Sequence, residues 1–238
     1  MLILAIDSAT PCAGVALVNK EKVLYEESAN FKRTHSEILM PMVDRAFKTC
    51  ECSLDDVSAI AVTVGPGSFT GLRIGMGTVK GLGLGSGKPI IVVSTLETIA
   101  FNLSGHQAMV GVLLDARKQE VYSSIYDVSG KFPSALTDEQ AISPEGFVEL
   151  ALEMKEKQSY SQIILLGDGY YPYQDYFKSA FGKMLIPTPS HLMLPRAGAL
   201  GNLAINKADK GEFTDVFALK PIYLRLSEAE YKLKKGAL

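Results

Sequence analysis

The chain has 238 residues, of which 47% are hydrophobic and 21% are charged, and its formal net charge is −2. These values are typical of a globular protein that is long enough for two domains. They exclude a protein that binds RNA through an overall surplus of basic residues. Three cysteines without zinc spacing indicate free thiols, and the apolar run that ends at Asp7 is too short for a membrane span. We therefore expect a cytoplasmic protein.

Strands and helices alternate through the first half of the chain. Hydrophobic patterning predicts strands at Leu2 to Ile6, Ala13 to Val18, Lys22 to Ala29, Ala59 to Val64 and Ile90 to Val93. Helices are predicted at about Ser36 to Thr49, at Thr70 to Gly85 and from Ser94 to about Leu103. Thr34 with Glu37, and Ser94 with Glu97, form capping boxes in which each side chain satisfies the other residue's free amide.

The second half repeats this order. Strands are predicted at Met109 to Leu114, Glu120 to Asp127, near Lys131 to Leu136, Ile163 to Leu166 and Met184 to Ile186. Helices are predicted from Ser143, at Tyr173 to Phe181 and at about Arg196 to Lys210. Each half therefore predicts one mixed sheet flanked by helices. We expect lobes at 1–105 and 106–210, with the last helix packing back towards the first lobe, and an extended basic tail at 211–238.

This duplicated α/β plan resembles the ASKHA superfamily (actin, sugar kinases and Hsp70), whose two lobes are ribonuclease-H-like. The resemblance makes Asp7 and Asp115 candidates for a magnesium-binding carboxylate pair, and it puts Gly167 and Gly169 at the adenosine loop. Equally, Asp7 can satisfy turn amides and Asp115 can end a strand. Ala9 replaces a glycine that lets the backbone of these kinases approach phosphates closely. We expect no cofactor.

The segment Gly65-Pro66-Gly67-Ser68-Phe69-Thr70-Gly71-Leu72-Arg73 is the strongest local signal. It precedes a helix, where free amides can hold an anion, but it lacks the lysine of a phosphate-binding loop. Gly77, Gly81 and Gly85 then recur at every fourth residue and leave one helix face without side chains. That face can press on the protein's own sheet, which spacing alone favours, or it can receive another molecule.

This segment, with Asp7-Ser8-Ala9-Thr10, His35-Ser36, Asp115-Ala116-Arg117 and Pro221-Ile222-Tyr223-Leu224-Arg225, resembles the TsaB (YeaZ) family of bacterial tRNA threonylcarbamoyladenosine biosynthesis. The resemblance spans nearly the whole chain, in the same order. It implies a non-catalytic subunit that works with the catalytic paralogue TsaD and the ATPase TsaE. It also implies a homodimer when the chain is alone, and contact with tRNA only through the complex.

The metal motif of the catalytic paralogue resembles H-x-E-x-H, and by ungapped counting it falls on Thr95-Leu96-Glu97-Thr98-Ile99. The glutamate remains and both imidazoles are missing, so a metal site is not expected. We interpret Glu97 as the reciprocal partner of Ser94 in its cap. We place the partner interface on the two helices of the first lobe, at six residues: Leu39, Val43, Phe47, Gly77, Gly81 and Gly85.

Two further functions compete with the scaffold role. A small ATP-dependent phosphotransferase would use Asp7, Asp115 and the Gly167 loop, and Ala9 argues against it. A metallopeptidase of the M22 type would need the missing imidazoles. A basic cluster at Lys232, Lys234 and Lys235 can add to a partner's RNA surface or can remain a solvated terminus.

Overall fold

Two mixed sheets form the framework of the protein in a computed structural model that describes residues 1–31 and 34–225. The first sheet has the order β3-β2-β1-β4-β5. Its strands are β1 (Leu2–Asp7), β2 (Ala13–Asn19), β3 (Val23–Ala29), β4 (Ala59–Thr63) and β5 (Ile90–Val93). The first three are antiparallel neighbours, and β4 and β5 join β1 in parallel. The three-strand meander and the two parallel crossovers are as predicted.

The strands β1, β2 and β4 of the first sheet are buried on both faces because they are apolar at consecutive positions. Leu4 and Ile6 face a core formed with α1 (His35–Thr49) and α2 (Phe69–Ser86). Ile3 and Ala5 face the opposite core, which is completed by α6 (Ala197–Asp209). The last helix of the described chain therefore packs on the first sheet.

The second sheet has the order β11-β10-β6-β7-β8, and β9 pairs with β7 off this path. Its strands are β6 (Met109–Arg117), β7 (Glu120–Asp127), β8 (Ser134–Ala135), β9 (Gln140–Ile142), β10 (Ile163–Leu166) and β11 (Leu185–Ile186). The helix α3 (Thr95–Ala100) covers one face. The helices α4 (Pro144–Gln158) and α5 (Gln174–Phe181) cover the other. The α/β fold with two mixed sheets and flanking helices is confirmed.

Local capping signals account for most helix starts. Thr34 and Glu37 form the predicted capping box at the start of α1, with the Thr34 amide donating to Glu37 Oε2 at 3.2 Å. Ser143 caps α4 by accepting from the Gly146 amide at 3.1 Å. The short strand β9 was not predicted. The helix predicted at Tyr173 to Phe181 is α5, which spans Gln174–Phe181, and a 3₁₀ helix at Asp168–Tyr173 precedes it.

The chain after α6 runs without a helix or a named strand to Arg225, the last residue that the structure describes. The predicted lysine cluster at Lys232, Lys234 and Lys235 lies outside the described residues. Within 1–31 and 34–225, no helix combines the length and the apolar character needed to cross a membrane.

Candidate functional site

The glycines at the start of α2 let the helix press against the turn after β1. A Cβ atom on Gly67 would overlap the Ala9 carbonyl oxygen, and one on Gly71 or Gly75 would overlap Ser8. The Ser8 hydroxyl donates to the Gly71 carbonyl at 2.8 Å, inside a buried contact. These glycines are therefore required by a close approach within the protein itself.

Two amides near the start of α2 are also occupied. The Ser68 amide donates to the Ala9 carbonyl at 2.7 Å, and the Gly71 amide donates to the Ser68 hydroxyl at 3.2 Å. With the close packing on Ser8 and Ala9, these bonds account for the glycine-rich segment without a bound phosphate.

A cleft of about 950 Å³ lies where the carboxyl ends of β1 and β6 meet the starts of α1 and α2. Residues from both halves of the chain line it: Ala9, Thr10, Pro11, His35, Gly67, Ser68, Phe69, Thr70, Arg73, Leu114, Asp115, Ala116, Arg117, Lys118, Tyr122, Asp168, Tyr223 and Arg225. Clefts at this edge of an α/β sheet are the usual place for a ligand. This cleft is the main candidate site.

The two candidate magnesium ligands have different surroundings. Asp7 is 1% exposed, accepts hydrogen bonds from the Thr63 hydroxyl and the Ala9 amide, and is not among the residues that line the cleft. Burial raises the pKa of Asp7. Asp115 does line the cleft, and its carboxylate contacts Arg117 Nη1 at 3.1 Å. The structure thus brings only Asp115 to the cleft surface.

The two candidate adenosine-loop glycines support the loop after β10. Gly167 has φ +98°, and a Cβ atom there would overlap the Leu113 carbonyl oxygen. A Cβ atom on Gly169 would press on the backbone of Leu114. Neither glycine lines the cleft, whereas Asp168 between them does. Burial raises the pKa of the Asp168 carboxyl, which accepts a hydrogen bond from a β6 amide.

An aromatic pair that was not predicted forms one wall of the cleft. The rings of Phe69 and Tyr223 stack with centroids 5.0 Å apart, and each side chain is more than a third exposed. The Arg73 guanidinium lies 3.8 Å from the Phe69 centroid, and its Nε donates to the Tyr223 hydroxyl at 3.0 Å. Arg73 and Tyr223 both lie in motifs that carry the family resemblance, but their contact joins distant parts of the chain.

The segment around Tyr223 connects the two sheets. The Ile222 amide donates to the Val64 carbonyl at 2.8 Å, next to β4. Arg225 Nη1 donates to the Ala116 carbonyl at 3.1 Å and pairs with Glu120 at 3.1 Å, on the β6–β7 hairpin. The last described residues therefore bridge the cleft from the first sheet to the second.

A second surface lies on the outer face of α1 and α2. Gly77, Gly81 and Gly85 are exposed, and a Cβ atom on any of them would meet nothing within 4 Å. The interpretation that this stripe presses on the protein's own sheet is therefore wrong. The exposed face also carries Met40 and Leu84, at 47% and 56% exposure.

Two residues assigned to that surface point inward instead. Leu39 and Val43 are 1% and 2% exposed and belong to the core between α1 and the first sheet. Phe47 is half-buried and lines a mainly apolar groove of about 520 Å³ together with Met40, Val43 and Leu82. Leu39 cannot contact a partner widely because the protein's own core covers it, and Val43 reaches only the floor of the groove.

The role assigned to Glu97 also needs correction. Ser94 caps α3 by accepting from the amides of Leu96 and Glu97 at 3.0 and 3.3 Å. Glu97 does not return a bond to the Ser94 amide, and the Ser94 hydroxyl donates to Glu139 instead. Glu97 lines a small pocket beside Glu139, and burial raises its pKa. Across the described ranges, no three potential metal ligands of the His, Cys, Asp and Glu types cluster.

We expect Glu97→Gln to stabilise the protein at pH 8 and to change its stability little at pH 4. A raised pKa in the folded state means that folding favours the protonated carboxyl, so stability falls as pH rises above the unfolded value of 4.5. The substitution removes the buried charge that causes this loss. Melting temperatures at both pH values check this, with exposed Glu149→Gln in α4 as the control. A loss of stability at pH 8 would contradict it.

Comparisons with known proteins agree with this architecture. The family model for TsaD, tRNA N6-adenosine threonylcarbamoyltransferase, matches residues 23–233. The TsaB protein of Bacillus subtilis is 33% identical over 98% of this chain and 97% of its own length. The TsaB protein of Escherichia coli is 35% identical over 98% of both chains. Both relatives are named as tRNA threonylcarbamoyladenosine biosynthesis proteins.

Solved structures give the same result. YeaZ from Pseudomonas aeruginosa superposes with a TM-score of 0.74 at 26% identity, covering 94% of this chain and 99% of that one. The ROK hexokinase of Thermus thermophilus superposes with a TM-score of 0.50 at 11% identity, covering 89% of this chain and 100% of that one. At this low identity the similarity extends to the ASKHA-type fold and no further. With the near-full-length TsaB relatives, these findings show that the chain belongs to the TsaB (YeaZ) family of tRNA threonylcarbamoyladenosine biosynthesis proteins.

Proposed function

We propose that this protein is a non-catalytic cytoplasmic subunit that supports threonylcarbamoyl transfer to tRNA by binding a TsaD-type catalytic relative. The observation that carries the proposal is the open glycine stripe of α2 at the surface. Each glycine in a helix interior costs about 1 kcal/mol of stability relative to alanine. A Cβ atom on any of the three stripe glycines would meet no other part of the protein within 4 Å, so packing within the chain does not require them. The stripe would allow the backbone of a partner to approach α2 closely.

The surroundings of the stripe support a protein partner. Met40 and Leu84 are exposed beside it, and Phe47 and Leu82 line the adjoining apolar groove. An apolar centre of this kind is typical of a protein–protein interface. We place the interface on Met40, Phe47, Leu84 and the stripe, which replaces the inward-facing Leu39 and Val43. The same face would serve a homodimer when the chain is alone.

The position of the family's metal motif supports a non-catalytic role. Thr95 and Ile99, which replace the two imidazoles that the resemblance implies, are both 0% exposed. Neither can present a nitrogen to a metal ion, and Ile99 has no lone pair to offer. A metallopeptidase would need these ligands, so this observation disfavours that function as well.

The turn after β1 argues against a phosphotransferase. Ala9 stands where the resemblance expects a glycine that lets the backbone approach phosphates closely, and the glycine-rich segment packs tightly against this residue. Asp7 is buried below the cleft surface. We therefore favour an accessory subunit, which in the family works with the ATPase TsaE as well as with TsaD.

The test is reconstitution of tRNA modification from purified components. We expect the full chain to co-elute with a TsaD-type relative in gel filtration and to be required for modified adenosine in the presence of a TsaE-type ATPase. The chain alone should form no product. Modification that proceeds equally well without this chain would refute the proposal, and so would product formed by the chain alone.

A further inference from the structure

The cleft between the two sheets is more positive than the chain as a whole. Its lining contains four cationic side chains and two carboxylates: Arg73, Arg117, Lys118 and Arg225, with Asp115 and Asp168. The chain itself has a formal net charge of −2. Arg117 pairs with Asp115, and Arg225 pairs with Glu120 of the neighbouring hairpin. The surplus of positive charge that is left in this concave site concentrates anionic ligands there.

Two of these cations lie on a strained turn. Arg117, Lys118 and Gln119 have φ values of 62°, 52° and 62°, so three consecutive residues with side chains adopt the left-handed conformation. This conformation is unfavourable for such residues and persists where the surrounding structure holds it. Arg225 holds the turn by donating to the Ala116 and Arg117 carbonyls at 3.1 and 3.4 Å. The turn keeps Arg117 and Lys118 at the edge of the cleft.

The opposite wall offers a surface on which a base can stack. Phe69 and Tyr223 are 38% and 39% exposed although they stack on each other, and both line the cleft. Arg73 lies against Phe69 and holds the Tyr223 hydroxyl. Aromatic rings beside arginine, facing a basic edge, are the usual elements of a site for unpaired nucleotides.

The geometry favours an RNA nucleotide over a nucleoside triphosphate. At the turn after β1, Ala9 replaces the glycine that lets the backbone of kinases of this fold approach phosphates closely. Asp7 is buried and cannot reach a metal–phosphate group in the cleft. Arg117 and Lys118 are exposed at the edge of the cleft, where a continuous sugar–phosphate backbone can pass, and Arg117 also contacts Asp115 there.

We propose that this cleft binds an unpaired nucleotide of the tRNA substrate, with the base stacked on the Phe69–Tyr223 pair and the backbone phosphates at Arg117 and Lys118. This inference rests on the proposed function, which brings tRNA to the complex. It gives the chain a direct part in holding the RNA, in addition to supporting its partner.

Fluorescence anisotropy with a labelled anticodon stem-loop RNA tests the stacking surface. The full chain is titrated alone and in complex with the TsaD-type relative. Tyr223→Ala should weaken RNA binding by about 5- to 150-fold, which corresponds to one stacked base. Tyr223→Phe keeps the ring and should bind nearly as well as the unchanged protein. Tyr176→Ala is the matched control, since Tyr176 is also 39% exposed and lies outside the cleft.

The salt dependence of binding tests the cationic edge. Replacing both Arg117 and Lys118 with glutamine should reduce the slope of log affinity against log salt by about 0.7 for each lost phosphate contact with single-stranded RNA. Circular dichroism establishes that each variant is folded. A fully paired RNA of the same length should bind more weakly than the stem-loop, because it has no free base to stack.

Several results would overturn the inference. One is an equal effect of Tyr223→Ala and Tyr176→Ala on RNA affinity. Another is equal affinity for the stem-loop and for the paired RNA. A third is displacement of the bound stem-loop by magnesium-ATP at a lower concentration than the stem-loop itself. Gel filtration separates this failure from failure of the proposed function. If the complex with the relative forms but Tyr223→Ala does not change its RNA affinity, only the proposed nucleotide site in the cleft is refuted. A chain that binds the stem-loop through Tyr223 but never binds the relative refutes the subunit role alone.

Discussion

Gly71→Ala should destabilise the protein by about 3 kcal/mol, whereas Gly77→Ala on the same helix should stabilise it by up to about 1 kcal/mol. The two glycines differ in what a methyl group would meet. At position 71 it would overlap the carbonyl oxygen of Ser8, and at position 77 it would meet nothing within 4 Å. At position 77 the substitution therefore changes stability only through the higher helix propensity of alanine.

Thermal unfolding measures this difference. In a chain of this size 1 kcal/mol shifts the melting temperature by about 2–4 °C, so we expect Gly71→Ala to lower it by about 6–12 °C. Gly77→Ala should raise it by about 2–4 °C or less. Melts at two protein concentrations separate a change in self-association from a change in folding. Equal effects at the two positions would mean that α2 does not pack against the turn after β1.

The elements of the fold were predictable because local patterns specify them. Both mixed sheets follow from buried runs with short connections, and the Thr34–Glu37 capping box marks the start of α1 within one residue. The two-residue strand β8 lies within the strand predicted near Lys131 to Leu136, whereas the three-residue β9 has too few residues for a reliable pattern. The pairing of β9 with β7 depends on contacts that form only when the second sheet assembles.

Which face of a helix is covered was harder to predict. Glycine spacing identified a stripe on α2, but the helix carries inward glycines at Gly71 and Gly75 and outward ones at Gly77 and Gly81. Spacing alone does not show which set meets the sheet. On α1, helical spacing correctly grouped Leu39 with neighbouring apolar residues, but it did not show that Leu39 is buried in the core while Phe47 remains half-buried beside a groove.

The cleft wall could not be predicted from local patterns at all. Phe69 starts α2, and Tyr223 lies after the last helix, so their stacking depends on the path of the chain across both sheets. For Glu97, a local pattern predicted a contact that the folded protein does not make. Its sequence spacing matches a capping box, and the Ser94 hydroxyl does accept from the Glu97 amide, but Glu97 returns no bond to the Ser94 amide. The Ser94 hydroxyl donates to Glu139, in the loop before β9.

Gly81→Arg should abolish binding to the TsaD-type relative and leave the fold intact. Gly81 is exposed at the middle of the stripe, and the space beyond its Cα is open within this chain. An arginine side chain there would fill the volume that a second helix needs. It would also place a charge at the apolar centre of the interface. Losses of more than 2 kcal/mol, or about 30-fold in affinity, are typical at such central positions, and we expect at least this.

The same substitution tests self-association. A two-fold contact uses one surface twice, so Gly81→Arg would strike both copies at once and leave a monomer. The control is Glu156→Arg, which puts an arginine on the exposed face of α4, away from the stripe. It should leave dimerisation, partner binding and modification unchanged.

Gel filtration, circular dichroism and the reconstituted modification assay read out the result together. Arginine has a higher helix propensity than glycine, so helix content and melting temperature of the monomer should be retained or slightly raised. Loss of the fold would mean that Gly81 packs internally. A variant that still binds the relative and supports full modification would place the interface elsewhere, and the open glycine stripe would then have no role in the assembly.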